Sequence, residues 1–277
     1  MPELPEVETI RRTLLELVIG KKIHSVSVFW PKIIKLPAEV EQFSDALVGQ
    51  TVQDIGRRGK FLVFYTELYA LVSHLRMEGR YTVSEAEEPI DKHTHVIFHF
   101  TDGTELRYRD VRKFGTMHLF RKGEEFNALP LSQLGPEPLE NTFNLAEFKH
   151  KLANKKRNIK SVLLDQTVLV GLGNIYVDEA LFKARIHPER MAQSLSDKEV
   201  NSLFESIVDT LSEAVKKGGS TVRTYVNSQG EMGMFQLEHY VYGRKGEACK
   251  VCGAELIKTV VGGRGTVYCP DCQKLKA

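Results

Sequence analysis

All four cysteines of the chain fall in its last twenty-nine residues, as Cys249-Lys-Val-Cys252, sixteen intervening residues, then Cys269-Pro-Asp-Cys272. Two Cys-x-x-Cys knuckles at this separation let four thiolates close tetrahedrally around one zinc, each at about 2.3 Å, and fold a hairpin too small for a core of its own. The competing pattern is a pair of disulfides, which would require an oxidising compartment. Between the knuckles, Gly253 to Tyr268 supplies two β-branched runs joined by Gly262-Gly263-Arg264-Gly265, a hairpin with a cation at its tip. From Val241 to Ala277 seven Lys or Arg face three acids, a local net charge of +4 in a chain that is only +2 overall. That suits phosphate, although a solvated charged surface explains the charge equally well.

Other groups able to do chemistry lie at the start and in the loops. Met1-Pro2-Glu3-Leu4 precedes a helix, and Glu3 and Glu6 either serve chemistry or offset the helix dipole. Gly171-Leu-Gly173-Asn174 joins two helices, with Asn174 placed to cap the second so that its first amides face a phosphate; a purely structural turn is the alternative. Tyr176 stands where a nucleotide-binding loop needs its third glycine. Gly56-Arg-Arg-Gly-Lys60, His74-Leu-Arg-Met77-Glu-Gly79 and Arg109-Asp-Val-Arg112-Lys-Phe114-Gly115 read as loops mixing cations with an apolar tip, suited to backbone contact and wedging between bases. His93 and His95 have the alternate-residue spacing of a strand metal site but no evident carboxylate partner.

The elements that must position these groups follow from periodicity. Val7, Ile10, Leu14 and Val18 share one face of a helix from Pro5 to Val18, stopped by Gly20. Val26–Trp30, Thr51–Ile55, Phe61–Tyr65, His95–Phe100 and Thr116–Phe120 read as strands, with a helix over Glu39–Leu47, giving a β-sandwich with helices laid against it. Gly123 to Asn141 carries three prolines and serves as a linker. Beyond it Leu145–Asn154, Ile159–Gln166, Asn174–Ala184 and Asp197–Lys216 are helical, and Gly218 to Met234 is expected to be a lid. The fold class is therefore α+β and multidomain. The expected boundaries are 1–130 for the sandwich, 131–237 for the helical domain with its lid at 218–237, and 238–277 for the ribbon. With 42% hydrophobic and 27% charged residues, no apolar run near eighteen and an acidic start, the chain is expected to be an ordinary cytoplasmic protein.

Met1-Pro-Glu-Leu-Pro-Glu-Val-Glu8, Lys60 before Phe61, the Asn174 turn and the terminal ribbon with Arg264, in that order and spanning the whole chain, resemble the bacterial formamidopyrimidine-DNA glycosylase family. The resemblance implies a β-sandwich, a helix-two-turn-helix domain and a zinc finger clamping double-stranded DNA. It implies excision of oxidised purines (8-oxoguanine and formamidopyrimidines) followed by strand cleavage, one structural zinc, a monomer and a nucleoid location. By the same resemblance Pro2 is the nucleophile once Met1 is removed, Glu3 the acid/base, Lys60 the residue of β-elimination and Arg264 that of δ-elimination. Met77, Arg112 and Phe114 match the residues that fill the gap left by a flipped nucleotide. His74, His93, Arg112, Lys155, Asn174, Tyr242 and Lys258 match DNA contacts. Glu78, Ser220, Val222, Arg223, Thr224 and Tyr225 match the surroundings of the damaged base. A non-catalytic, zinc-dependent binder of damaged DNA and an endonuclease VIII-like glycosylase for oxidised pyrimidines are the rivals.

Overall fold

The structure, a computed structural model, describes residues 1–220 and 233–275. The chain divides into two compact units, Met1–Gln133 with Ser220–Gly233, and Leu134–Gly219 with Met234–Ala277.

In the first unit the leading helix α1 (Leu4–Val18) buries Leu4, Val7, Ile10, Leu14 and Val18 on one face. Its start is closed by a reciprocal capping box in which Glu3 and Glu6 each accept the other's backbone amide. There follow β1 (Ile23–Val28), β2 (Ile34–Leu36), α2 (Val40–Leu47), β3 (Asp54–Arg58), β4 (Phe61–Tyr65), β5 (Tyr69–His74), β6 (Arg80–Glu85), β7 (Thr94–Phe100), β8 (Thr104–Arg109) and β9 (Thr116–Arg121). These form a five-stranded sheet, β2-β9-β5-β4-β3, and a four-stranded sheet, β1-β7-β8-β6. Every pairing is antiparallel except β2 with β9. One core takes Val7, Ile10 and Leu14 from α1, Phe43 and Leu47 from α2, and Phe64, Val96, Phe98, Leu106 and Met117 from the sheets. Burial of each such side chain contributes about 1.5–3 kcal/mol.

Several expectations need correction. Gly56-Arg57-Arg58 is strand, not loop: β3 begins at Asp54, three residues later than expected from Thr51, and only Gly59 and Lys60 turn. The arginines hid the strand, yet Arg57 Nε lies 3.1 Å from Glu8 on α1 and its Nη1 donates to the Gly59 carbonyl. β1 stops at Val28, so Phe29 and Trp30 lie beyond it. β2, β5 and β6 had no sequence expectation, and β8 only the hairpin turn that Asp102-Gly103 signals ahead of it. β5 is buried on both faces apart from its first residue, so it does not alternate. β8 carries Glu105, Arg107 and Arg109, but Arg107 is spent internally, its Nε on Glu105 at 2.7 Å and its other nitrogens on the carbonyls of Glu85, Glu88 and Pro89.

The second unit has α3 (Leu145–Ala153), α4 (Ile159–Leu164), α5 (Asn174–Lys183), α6 (Asp197–Lys216), and the hairpin β10 (Ile257–Val261) and β11 (Arg264–Tyr268). Asn144, Asn158 and Ser196 cap α3, α4 and α6 through side-chain oxygens. Asn174 does not cap α5: Gly173 occupies that position and Asn174 is the first helical residue. The hairpin turns on Gly262 and Gly263, whose φ values of +57° and +74° are the left-handed pair that a two-residue turn demands. Val222, Arg223, Thr224, Tyr225 and most of the expected lid lie outside the described residues.

Candidate functional site

Within the first unit, the Met1 amine shares one electrostatic neighbourhood with Glu3, Glu6, Lys60 and Glu78 of the Met77 loop. Pro2 and Glu3 are buried, and so is Lys60, in the turn that follows β3. Burial pushes the N-terminal ammonium below its usual 8.0; Glu3 and Glu6 oppose that shift, Lys60 adds to it, and Glu78 opposes it. Glu6 also accepts the Ser220 amide at 2.7 Å, a contact that its place in an ordinary helix start gave no reason to expect.

His74 ends β5 opposite Phe61 and packs edge-on against its ring at 4.5 Å. Burial pushes the imidazole down to about 3, reinforced by the Arg76 and Lys60 cations. Its Nδ1 accepts the Arg76 amide at 2.9 Å, so the neutral ring carries its proton on Nε2 and offers a donor there. The unfolded chain takes up a proton near pH 6.5 that the folded chain refuses until about pH 3. Stability from neutral His74 is thus complete above 6.5 and lost as pH falls toward 3. His74→Gln is expected to flatten the change in urea midpoint between about pH 7 and pH 5; an unchanged pH slope would contradict this.

Two exposed loops of the same unit hold Met77 and the pair Arg112 and Phe114, with the Arg112 guanidinium 4.8 Å from the Phe114 ring centre. Asp110, fully buried, shapes the second loop by accepting the amides of Arg112, Phe114 and Gly115. His93 is half-buried. Neighbouring His95 hydrogen-bonds the Asp110 carbonyl at 2.7 Å, and among the described residues the two histidines join no metal-binding cluster.

In the second unit α4 and α5 hold the hairpin that carries Arg264. Asn174 Nδ2 donates to the Gly265 carbonyl at 2.9 Å, and Lys160 Nζ donates to the same carbonyl at 3.2 Å and to Thr266 Oγ1 at 2.7 Å. Lys160 is itself paired at 2.6 Å with Asp178, both wholly buried, and the other Asp178 oxygen accepts the Val267 amide. Burial pushes the Asp178 carboxyl up to about 6, against the pull of Lys160 and Val267. The adjacent Glu179 takes the amides of Tyr240, Val241 and Tyr242, fixing the segment that bears Tyr242. The structure thus joins Asn174 to the neighbour of Arg264. Lys258 and Arg264 are exposed on the hairpin, and Lys155 is half-buried just after α3. Lys160, Asp178 and Glu179 escaped sequence reasoning, although two acids inside the apolar run Ile175–Phe182 were a usable signal of buried, paired carboxylates.

Removing one member of such a pair strands its partner in a dry site. Lys160→Met is expected to cost about 3–5 kcal/mol, and Lys160→Met with Asp178→Leu to recover most of it. Urea unfolding of the three chains checks this, and equal losses for the single and double variants would refute it.

The four cysteines form no disulfide with one another, and their sulfurs all lie within 4.8 Å of one another. Cys249 and Cys272 are 4.0 Å apart and Cys252 and Cys269 3.4 Å, bracketing the roughly 3.8 Å edge of a tetrahedron with bonds of about 2.3 Å to zinc. The amides of Val251 and Cys272 point at Cys249 and Cys269 sulfurs, each at 3.4 Å. Soft donors in this geometry suit one structural zinc. The ribbon's small core is borrowed from α5, with Phe182 packed among Val241, Leu256, Val267, Cys249 and Cys269.

Known proteins carry the same arrangement. Residues 1–117 match the formamidopyrimidine-DNA glycosylase N-terminal domain, 134–226 the formamidopyrimidine-DNA glycosylase H2TH domain, and 246–275 a zinc finger found in FPG and IleRS. The formamidopyrimidine-DNA glycosylase of Bacillus subtilis (strain 168) is 63% identical over 276 residues, 100% of each chain. That of Geobacillus kaustophilus is 61% identical over 274 residues, 99% of this chain and 100% of the relative. Among solved structures, Lactococcus lactis Fpg in complex with abasic-site DNA superposes with a TM-score of 0.93 at 43% identity, covering 99% of this chain and 100% of that one. A mutant of the same enzyme with Fapy-dG DNA gives 0.94 at 43% identity, with the same coverage. With matches to three successive domains and identity above sixty per cent from end to end, the chain belongs to the formamidopyrimidine-DNA glycosylase family.

Proposed function

We propose that the chain is a bifunctional DNA glycosylase/AP lyase that removes oxidised purines from double-stranded DNA and cleaves the strand at the resulting site. The observation that carries this reading is the buried start of the chain, Pro2 and Glu3, with Glu3, Glu6 and buried Lys60 all acting on the Met1 amine just ahead of Pro2. The relatives' name and their solved complexes with abasic-site and Fapy-dG DNA support the substrate class.

Once Met1 is removed, the Pro2 nitrogen becomes a secondary amine with a lone pair. It attacks C1′ of the extruded nucleotide as the bond to the base breaks, and the base departs with a proton. Glu3 protonates the ring oxygen, opening the sugar to an iminium ion. The iminium acidifies the C2′ proton, and loss of that proton expels the 3′ phosphate. A second elimination expels the 5′ phosphate, and water releases the amine. Following the family pattern, Lys60 serves the first elimination, and Arg264 the second together with phosphate binding. The zinc supports the hairpin and enters no step. His74, His93, Arg112, Lys155, Asn174, Tyr242 and Lys258 hold the DNA, and Met77, Arg112 and Phe114 fill the gap left in the stack. Glu78, Ser220, Val222, Arg223, Thr224 and Tyr225 are assigned to the surroundings of the damaged base by family pattern. Residues 1–130 carry Pro2, Glu3 and Lys60, residues 131–237 grip DNA, and residues 238–277 grip DNA and supply Arg264.

Borohydride is expected to trap a covalent complex with an 8-oxoguanine duplex, because reduction fixes an imine; a non-catalytic binder gives only a salt-sensitive shift. Glu3→Gln is expected to bind this duplex normally but to excise the base about 10² to 10⁴ more slowly, since it keeps the size and hydrogen bonds of glutamate but transfers no proton. Native excision by Glu3→Gln would remove Glu3 from the mechanism, and preference for thymine glycol over 8-oxoguanine would move the substrate class to oxidised pyrimidines.

A further inference from the structure

We infer that Tyr108 is a positioning residue that ties the Met77 loop and the Arg112–Phe114 loop into one wedge; the inference rests on the assignment of those loops to gap filling. Each loop ends on a glycine, and both glycines close onto the same side chain. Gly79 donates its amide to the Leu75 carbonyl at 2.9 Å, and a Cβ there would stand 2.3 Å from Tyr108 Oη. Gly115 donates to Asp110 Oδ2 at 2.8 Å, and a Cβ there would stand 1.8 Å from Tyr108 Oη, 2.8 Å from its Cζ and 3.2 Å from its Cε1. One phenol tip thus sets the floor of two loops that are thirty-six residues apart in the chain.

The ring itself has nowhere to go. Tyr108 is fully buried in β8, opposite Tyr81 of β6, with ring centres 5.1 Å apart, and the Tyr81 hydroxyl donates to Ser73 Oγ at 2.7 Å. Both loops also store the same kind of strain. The residue just before each apolar tip is non-glycine and left-handed, Arg76 at φ +53° ahead of Met77 and Lys113 at φ +58° ahead of Phe114. Such conformations cost about 1–3 kcal/mol each and persist only where the surroundings over-determine them. On the second loop the Asp110 carboxylate supplies that constraint through three amides, and on the first the His74 Nδ1 and Leu75 carbonyl do so. Met77 and Phe114 are held out at 38% and 51% exposure, a rigid apolar pair that needs little ordering when it meets a gap in a base stack. Movement of either loop must displace Tyr108 and therefore disturb the other.

Gly115→Ala tests the coupling, because the contacts it creates nearest at hand are all with Tyr108. Amide hydrogen exchange at Gly79, on the other loop, is expected to quicken by about threefold or more, in the range of coupling between packed neighbours. Adding Tyr108→Phe removes the 1.8 Å clash, leaving 2.8 Å as the nearest approach, and is expected to slow that exchange back toward the native rate. In the same chains excision from a paired 8-oxoguanine duplex is expected to fall several-fold more than cleavage at a pre-formed abasic site, and to recover with Tyr108→Phe. Exchange that changes only around residue 115, or no recovery in the double variant, overturns the coupling. Altered exchange in both loops with equal loss on the two substrates overturns the gap-filling assignment and leaves the coupling standing. If Gly115→Ala does not fold, Tyr108→Phe alone is expected to quicken exchange in both loops, by less than the threefold change ascribed to Gly115→Ala, and a change in one loop or neither overturns the proposal.

Discussion

A chain that retains Met1, or carries any extension ahead of it, is expected to bind lesion-containing duplex and to give no borohydride-trapped complex, with excision down by about 10³ or more. The nitrogen of Pro2 behind Met1 is an amide with no lone pair to offer C1′; the free terminus turns it into an amine. An α-amino group titrates near 8, against about 10.4 for lysine, so far more of it is unprotonated at neutral pH. At this chain start Pro2 and Glu3 are buried, and burial pushes the Met1 amine down, with Glu3 and Glu6 opposing and Lys60 assisting. Only the free base attacks, so trapping should rise with pH as the Pro2 amine loses its proton. Pro2→Gly keeps an amine, primary and more mobile, and should retain reduced activity. The trapped adduct should map to the N-terminal peptide. An adduct on Lys60, or native activity with Met1 in place, would refute the mechanism.

The chemistry of this chain stood closer to the surface of its sequence than its architecture did. The cysteine spacing fixed the ribbon because four thiolates have one economical way to share a metal, and α6 was readable to the residue because Ser196, Glu199 and an apolar stripe all agreed. Strands β5 and β8 were missed for different reasons: β5 is buried on both faces and so does not alternate, whereas β8 alternates Glu105, Arg107 and Arg109 with Leu106 and Tyr108 but its charges, paired internally, masked it. The role of Asn174 was misread in the same way. Its position after Gly173 suggested a cap, but its side chain crosses to the Gly265 carbonyl, a partner ninety-one residues away that no local signal announces. Lys160 looks like a surface charge until the hairpin is placed over it.

That hairpin makes zinc removal the other large expected effect. Structural zinc sites contribute about 10–16 kcal/mol of binding free energy in isolated finger peptides, which here would fold the ribbon against α5. Without metal, the six-residue cluster around Phe182 loses the geometry of Cys249 and Cys269, two of its own members. Lys160, Asp178 and Gln273 still tether the ribbon to α4, α5 and the Ile186 carbonyl, so detachment should be local. The consequence falls on Arg264 and Lys258, which the hairpin presents to solvent. Chelation, or Cys269→Ser, is expected to weaken binding to an abasic-site duplex by about a hundredfold, or roughly 2.7 kcal/mol. The near-ultraviolet signal of the first unit, whose core contains none of these residues, should persist. Affinity should return with one equivalent of zinc per chain, since among the described residues a single four-cysteine cluster is present. Metal-free protein that binds the duplex at native strength would show that the hairpin is set by α5 alone and that the zinc serves some other purpose.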